Sequence, residues 1–133
     1  MSAVAESRPI FHSEADFQHA FAWQLRVHWP SAAVRLETRP LADLRWFLDV
    51  AASVEGTRYA FELKYLTRRL EVDIEDERFS LREHSAHDTR RYDVVKDIAR
   101  LEQIVDGDGA DVGCAVVLSN DAGYWQQWAA ARG

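Results

Sequence analysis

Apolar residues recur along this chain with two different periods, and the switches between them mark the elements. Phe17, Ala20, Phe21 and Leu25 fall at helical spacing, which predicts an amphipathic helix over residues 14–28. Ser13-Glu14-Ala15-Asp16 supplies its start, a serine N-cap with an acidic residue three positions on. Trp29-Pro30 supplies its stop, because the residue before proline disfavours helix. The period then shortens to two. Residues 34–38 alternate, and residues 45–54 and 57–66 are two strand-like runs separated by Glu55-Gly56, the signature of a hairpin. Residues 67–88 read as a small inserted surface hairpin, with Leu70, Val72 and Ile74 alternating with Glu71, Asp73 and Glu75. Helical spacing returns over residues 90–105, where Val94, Ile98, Leu101 and Val105 form a stripe opposite Asp93, Lys96, Asp97 and Arg100. Asp88 is the expected N-cap and Gly107 the expected terminator. Residues 112–118 are continuously apolar, as in a buried strand, and residues 121–131 predict a short closing helix with Trp125 and Trp128.

The order α-β-β-β-α-β predicts an α/β fold, a mixed central sheet flanked by helices. A length of 133 residues fits one domain, here residues 13–133 after a flexible lead over residues 1–12. With 47% hydrophobic and 29% charged residues the chain has the balance of a folded domain rather than a disordered one. No apolar stretch approaches the roughly 20 residues needed to span a bilayer, and residues 1–10 lack the apolar centre of a signal peptide. A cytoplasmic location and no membrane partner are therefore expected. The single cysteine, Cys114, sits in an apolar run and reads as a small buried side chain. His84 and His87 lack further ligands for zinc, and residues 106–111 lack the closing glutamate of a calcium loop.

The chemistry concentrates in the hairpin. Asp49 stands within the apolar run Trp46-Phe47-Leu48-Asp49-Val50-Ala51-Ala52, where a carboxylate is costly unless it is paired or bound to metal. On the other arm, Glu62-Leu63-Lys64 sends Glu62 and Lys64 to one face, while Tyr59, Phe61, Leu63 and Tyr65 point to the other. Two carboxylates from adjacent strands, with the Leu63 carbonyl and a substrate phosphate, suit Mg²⁺. Such an ion activates water for phosphodiester hydrolysis, with Lys64 orienting that water or stabilising developing charge. A structural salt bridge from Asp49 to Lys64 is the competing reading. Arg68, Arg69, Arg78, Arg82, Arg90, Arg91, Lys96 and Arg100 follow the site strand. Of these Arg90, Arg91, Lys96 and Arg100 are the expected phosphate contacts, unless the arginines serve to neutralise the nearby acids. The net charge of −6 tells against a non-specific nucleic-acid binder, although local distribution matters more than the sum.

Taken together, helix, strand, Asp-bearing strand, Glu-x-Lys strand, helix and strand over residues 13–119 resemble the PD-(D/E)XK nuclease superfamily. The resemblance implies a restriction-endonuclease-like αβββαβ core and a Mg²⁺-dependent endonuclease, with Mn²⁺ as a substitute ion and DNA as the expected substrate. It makes Asp49 and Glu62 the metal ligands and Lys64 the catalytic lysine. It also implies an assisting residue on the first helix, for which Glu14, Gln18 and Gln24 are options and Gln24 the choice, with Glu37 a further possible ligand. No proline precedes Asp49, and no target-recognition element is legible, which leaves a homodimer or a separate recognition partner open. The alternative is a non-catalytic nucleic-acid-binding or assembly protein of the same fold.

Overall fold

The computed structural model describes residues 10–82 and 87–120, and within the second helix it leaves out the side chains of residues 87–91. Helix α1 spans Glu14–His28, and strands β1, β2 and β3 span Ala33–Thr38, Leu48–Val54 and Thr57–Leu66. Strands β4 (Leu70–Ile74) and β5 (Glu77–Leu81) form a hairpin, followed by helix α2 (His87–Asp106) and strand β6 (Val112–Ser119). The main sheet has the order β1-β2-β3-β6, with β4 and β5 in a separate two-stranded sheet. β1–β2 and β2–β3 pair antiparallel, while β3 and β6 pair parallel. The expected α/β class with a mixed sheet and flanking helices is what the chain adopts.

One helix packs on each face, because alternate residues of a strand face opposite ways. Val50, Ala52, Phe61, Leu63 and Tyr65 meet Phe17 and Phe21 of α1. Ala60 and Ala51 meet Leu101 and Ile104 of α2. The start of α1 is pinned as its sequence implies. Asp16 N–H donates to Ser13 Oγ at 3.1 Å, and Asp16 Oδ2 in return accepts from His12 N–H at 2.9 Å. Across the molecule, Arg58 at the start of β3 ties down the α2–β6 loop, with Nη2 at 2.7 Å from Asp108 and 3.0 Å from Asp111. The Arg58 side chain's hydrogen bond holds the Asp111 carboxyl below the usual carboxylate range.

Several expectations need correction. Ile10 and Phe11 are buried core residues, so the lead expected over residues 1–12 gives way to core before residue 12. Strand β2 begins at Leu48 rather than residue 45, and Phe47 is 57% exposed. Strand β6 lies at the sheet edge and not in its middle, so its residues are exposed or half-buried and Cys114 is exposed. The buried stripe of α2 runs through Val94, Asp97, Leu101 and Ile104, with Ile98 exposed. Asp88 lies inside α2 and not at its cap. The β4–β5 hairpin is anchored, since Phe79 and Leu81 are buried in the α1-side core. The closing helix expected over residues 121–131, and His84, lie outside the described residues, as does the His87 side chain. Among the described residues no helix is long and apolar enough to cross a membrane.

Candidate active site at the splayed end of the hairpin

The β2–β3 ladder runs from Val54↔Thr57 to Val50↔Phe61 and stops there. Beyond it, backbone N–H groups of β3 on the β2 side have lost their strand partner and need acceptors. Two carboxylates supply them. Asp49 Oδ2 accepts from Leu63 N–H at 2.7 Å, and Glu14 Oε2 accepts from Tyr65 N–H at 3.3 Å. The site is thus a place where two strands part and acidic side chains replace the missing ladder. An antiparallel strand sends a residue's N–H and C=O to the same side, which sets the Leu63 carbonyl on this side of β3.

One register step past Val50↔Phe61 sets Asp49 across from Glu62, on the α2 face. The two carboxyl groups lie close enough for Glu62 to hydrogen-bond Asp49 when it carries its proton. Glu62 is buried at 6% exposure, and its Oε1 has no hydrogen-bond partner. Burial, then the hydrogen bond and charge of Asp49, push the Glu62 carboxyl up to about 9. Like charges directly opposed across a strand pair destabilise a sheet, so the pairing costs stability once Glu62 gives up its proton.

Lys64 projects on the same face and pairs with Asp97 Oδ2 of α2 at 3.3 Å, not with Asp49. The proposed structural bridge from Asp49 to Lys64 is therefore replaced by another. Burial lowers the affinity of Lys64 for its proton, but the charges of Asp97 and Glu14 outweigh it and the pKa is raised. Lys64 is an ammonium throughout the neutral range. Asp97 is buried at 4% exposure, and burial raises its pKa against the opposing pull of Lys64 and Arg100. Sequence reasoning assigned Asp97 to the solvent face. The signal was there, because positions 94, 97, 101 and 104 form the 3-4-3 spacing of a core stripe with an acid in it.

The first helix contributes Glu14 and Gln18, not Gln24. Gln18 is buried, and its Nε2 donates to the Asp49 carbonyl at 3.0 Å. Burial of the Glu14 carboxyl raises its pKa, against the Tyr65 N–H and the Lys64 charge, which lower it. Gln24 lies six residues beyond Gln18, about 9 Å further along the helix. It lines a different cavity with Phe21, Leu25, His28, Tyr59 and Phe61. Glu37 is exposed, and its φ of +52° interrupts β1 in the left-handed region, uncommon for a residue with a side chain. Of the expected phosphate contacts, Lys96 is exposed on α2. Arg100 is engaged, 3.7 Å from Asp97 and 5.2 Å above the Trp46 ring. The side chains of Arg90 and Arg91 lie outside the described residues.

Four carboxyl groups and two cations therefore act on one another's charge here. Among the described residues no three His, Cys, Asp or Glu side chains converge closely enough to hold a metal unaided. The donor set nonetheless suits Mg²⁺, which is held by one or two carboxylates and keeps water or phosphate in its other positions. Asp49 and Glu62 are two such carboxylates, and the partnerless Glu62 oxygen is a ligand position without a donor. Comparison with protein-family models, with curated proteins and with solved structures gives no match to this chain.

Proposed function

We propose that this protein is a metal-dependent nuclease that hydrolyses phosphodiester bonds of nucleic acid, with DNA as the expected substrate, on a restriction-endonuclease-like core. The observation that carries the reading is the pairing of Asp49 with Glu62 where β2 and β3 part, with the buried, partnerless Glu62 oxygen and Lys64 on the same face. A purely structural site has no reason to oppose two acids across a ladder when either could be an amide. The edge strands and helices around them follow the order that the resemblance implies.

In this reading Asp49 and Glu62, with the Leu63 carbonyl, would hold Mg²⁺, and Mn²⁺ would substitute. The bound ion supplies Lewis acidity toward a phosphoryl oxygen and a more acidic water. The remaining work falls to the chain. With its pKa raised, Lys64 keeps its proton in the neutral range and takes none from the attacking water; it donates hydrogen bonds to the water and to the phosphoryl oxygens as charge develops there. Asp97 holds the Lys64 ammonium in place. Gln18 fixes the backbone at Asp49, and Glu14 caps the β3 strand one turn of the pleat beyond.

The test is calorimetric titration of Mg²⁺ and Mn²⁺ into the wild type and the Asp49→Ala, Glu62→Ala double variant. Short DNA duplexes are present, and cleavage is read on a gel. Metal binding and cutting in the wild type, both lost in the variant, are expected. Cutting that persists in the variant would overturn the site, and a wild type that neither binds metal nor cuts would overturn the reading.

A further inference from the structure

The cations that meet substrate are expected near the scissile bond, and the structure redistributes the candidates. The β4–β5 hairpin carries its own neutralisation: Arg78 alone spans Glu71 at 3.2 Å and Asp73 at 3.4 Å. Arg68 and Arg82, at the base of the same hairpin, are exposed and make no ion pair among the described residues. Their backbones are nevertheless clamped. Arg68 N–H donates to Asn120 Oδ1 at 2.7 Å, and Asn120 Nδ2 donates back to the Arg68 carbonyl at 3.4 Å. Thr67, buried at 3% exposure, donates through Oγ1 to the Arg82 carbonyl at 2.6 Å. Two guanidinium groups without an acid partner among the described residues, on a fixed scaffold, are preorganised for an anion.

Arg82 lines a cavity of about 430 Å³ together with His12, Glu14, Tyr65, Thr67 and Ser80, and Arg68 follows its Thr67 wall in the chain. Glu14 is the shared wall, since its carboxylate also feels Lys64 and Asp49. His12, another wall of the cavity, pairs with Glu77 and stacks its ring on Phe79 at 4.2 Å. The cavity wall therefore joins Arg82 to Glu14, which reaches the splayed strands through Tyr65 N–H.

We propose that this cavity, with Arg82 in its wall and Arg68 beside it at the hairpin base, is the subsite that holds a backbone phosphate of the nucleic-acid strand entering the site. The guanidinium fork matches phosphate in geometry as well as charge. The proposal rests on the nuclease reading for the identity of the neighbouring site, but its test is binding, which is measured without hydrolysis. It moves phosphate contact from the α2 surface to the hairpin base.

The experiment is fluorescence anisotropy with a fluorescein-labelled 12-residue single-stranded DNA, its RNA counterpart and a DNA duplex, in EDTA over a series of NaCl concentrations. The proteins are the wild type, Arg68→Ala/Arg82→Ala and Lys96→Ala, each with a thermal melt. The double variant is expected to bind several-fold more weakly and to melt like the wild type. Its plot of log affinity against log salt should be shallower by about 1.4 on single strands and about 1.8 on duplex. The loss should be alike on DNA and RNA, because phosphate carries no sequence, and larger than in Lys96→Ala; the reverse order would return phosphate contact to α2 and overturn the subsite. Unchanged affinity and slope in the double variant would overturn the subsite and leave the nuclease reading standing. A wild type that binds none of the oligonucleotides also overturns it. Weakened binding in the double variant, from a wild type that fails to cut with Mg²⁺, would support the subsite and sink the hydrolysis reading instead.

Discussion

Glu62→Gln exchanges a carboxyl group for an amide of the same shape, so it keeps a donor toward Asp49 and removes one titrating proton. The consequence for stability has a definite sign. In the unfolded chain a glutamate releases its proton near 4.5, whereas in the folded protein burial and Asp49 hold the Glu62 proton to about 9. Between those values the native state binds one more proton than the unfolded state, so stability falls as pH rises. The contribution is complete below 4.5 and gone above 9. One proton sets the slope at about 1.4 kcal/mol per pH unit, or about 2.7 kcal/mol between pH 6 and pH 8. For a domain of this size that is a drop of about 10 °C in Tm. Glu14 and Asp97, also raised, add slope of the same sign to both proteins and cancel in the difference. The assay is urea denaturation in EDTA at pH 6, 7 and 8, followed by tryptophan fluorescence. The wild-type slope should exceed the Glu62→Gln slope by about one proton. Mg²⁺ should then stabilise the wild type more at pH 8 than at pH 6, because a ligand must shed its proton to bind metal, and should leave the variant unmoved. Parallel stability curves in EDTA would refute the reasoning, since Glu62 would then ionise like an exposed carboxylate.

Lys64→Ala should lower cleavage about 10²–10³-fold and also cost about 1–3 kcal/mol, because it strips the buried Asp97 of its ammonium partner. Lys64→Ala/Asp97→Asn should regain stability without regaining cleavage, and equal stability in the single and double variants would show that the Lys64–Asp97 pair is not the cause. Gln18→Ala should slow cleavage by loosening β2 at Asp49, whereas Gln24→Ala should leave it unchanged. The opposite pattern in a gel assay would return the first-helix role to Gln24. Gly113→Val should destabilise by about 1–3 kcal/mol, since a Cβ at Gly113 would lie 3.0 Å from Leu101 Cβ and force β6 away from α2. A thermal melt that matches the wild type would contradict that close approach.

Over the described residues, the sequence alone determined which elements form and in what order, though not all their bounds. Hydrophobic periodicity is a local property, and the helix over residues 14–28 and the strand over residues 57–66 were legible to the residue because caps, proline and a Glu-Gly turn bound them. The same local rules put Glu62 and Lys64 on one face, and the hairpin turn set Asp49 on the opposing arm. The partners of those side chains were decided only by tertiary structure. That Lys64 meets Asp97 depends on the rotation of α2 about its axis, and a stripe read one residue out turned Asp97 from core to surface. That Gln18 and Glu14 reach the site, and Gln24 does not, depends on how far α1 slides along the sheet. The exposure of β6 and Cys114 follows from the strand order, which no apolar run encodes. The division among the arginines, Arg78 consumed while Arg68 and Arg82 have no acid partner among the described residues, follows from which acids the hairpin register brings beside each. Contacts between residues far apart in the chain arise from packing of whole elements, and local pattern carries too little information to set their angle and register.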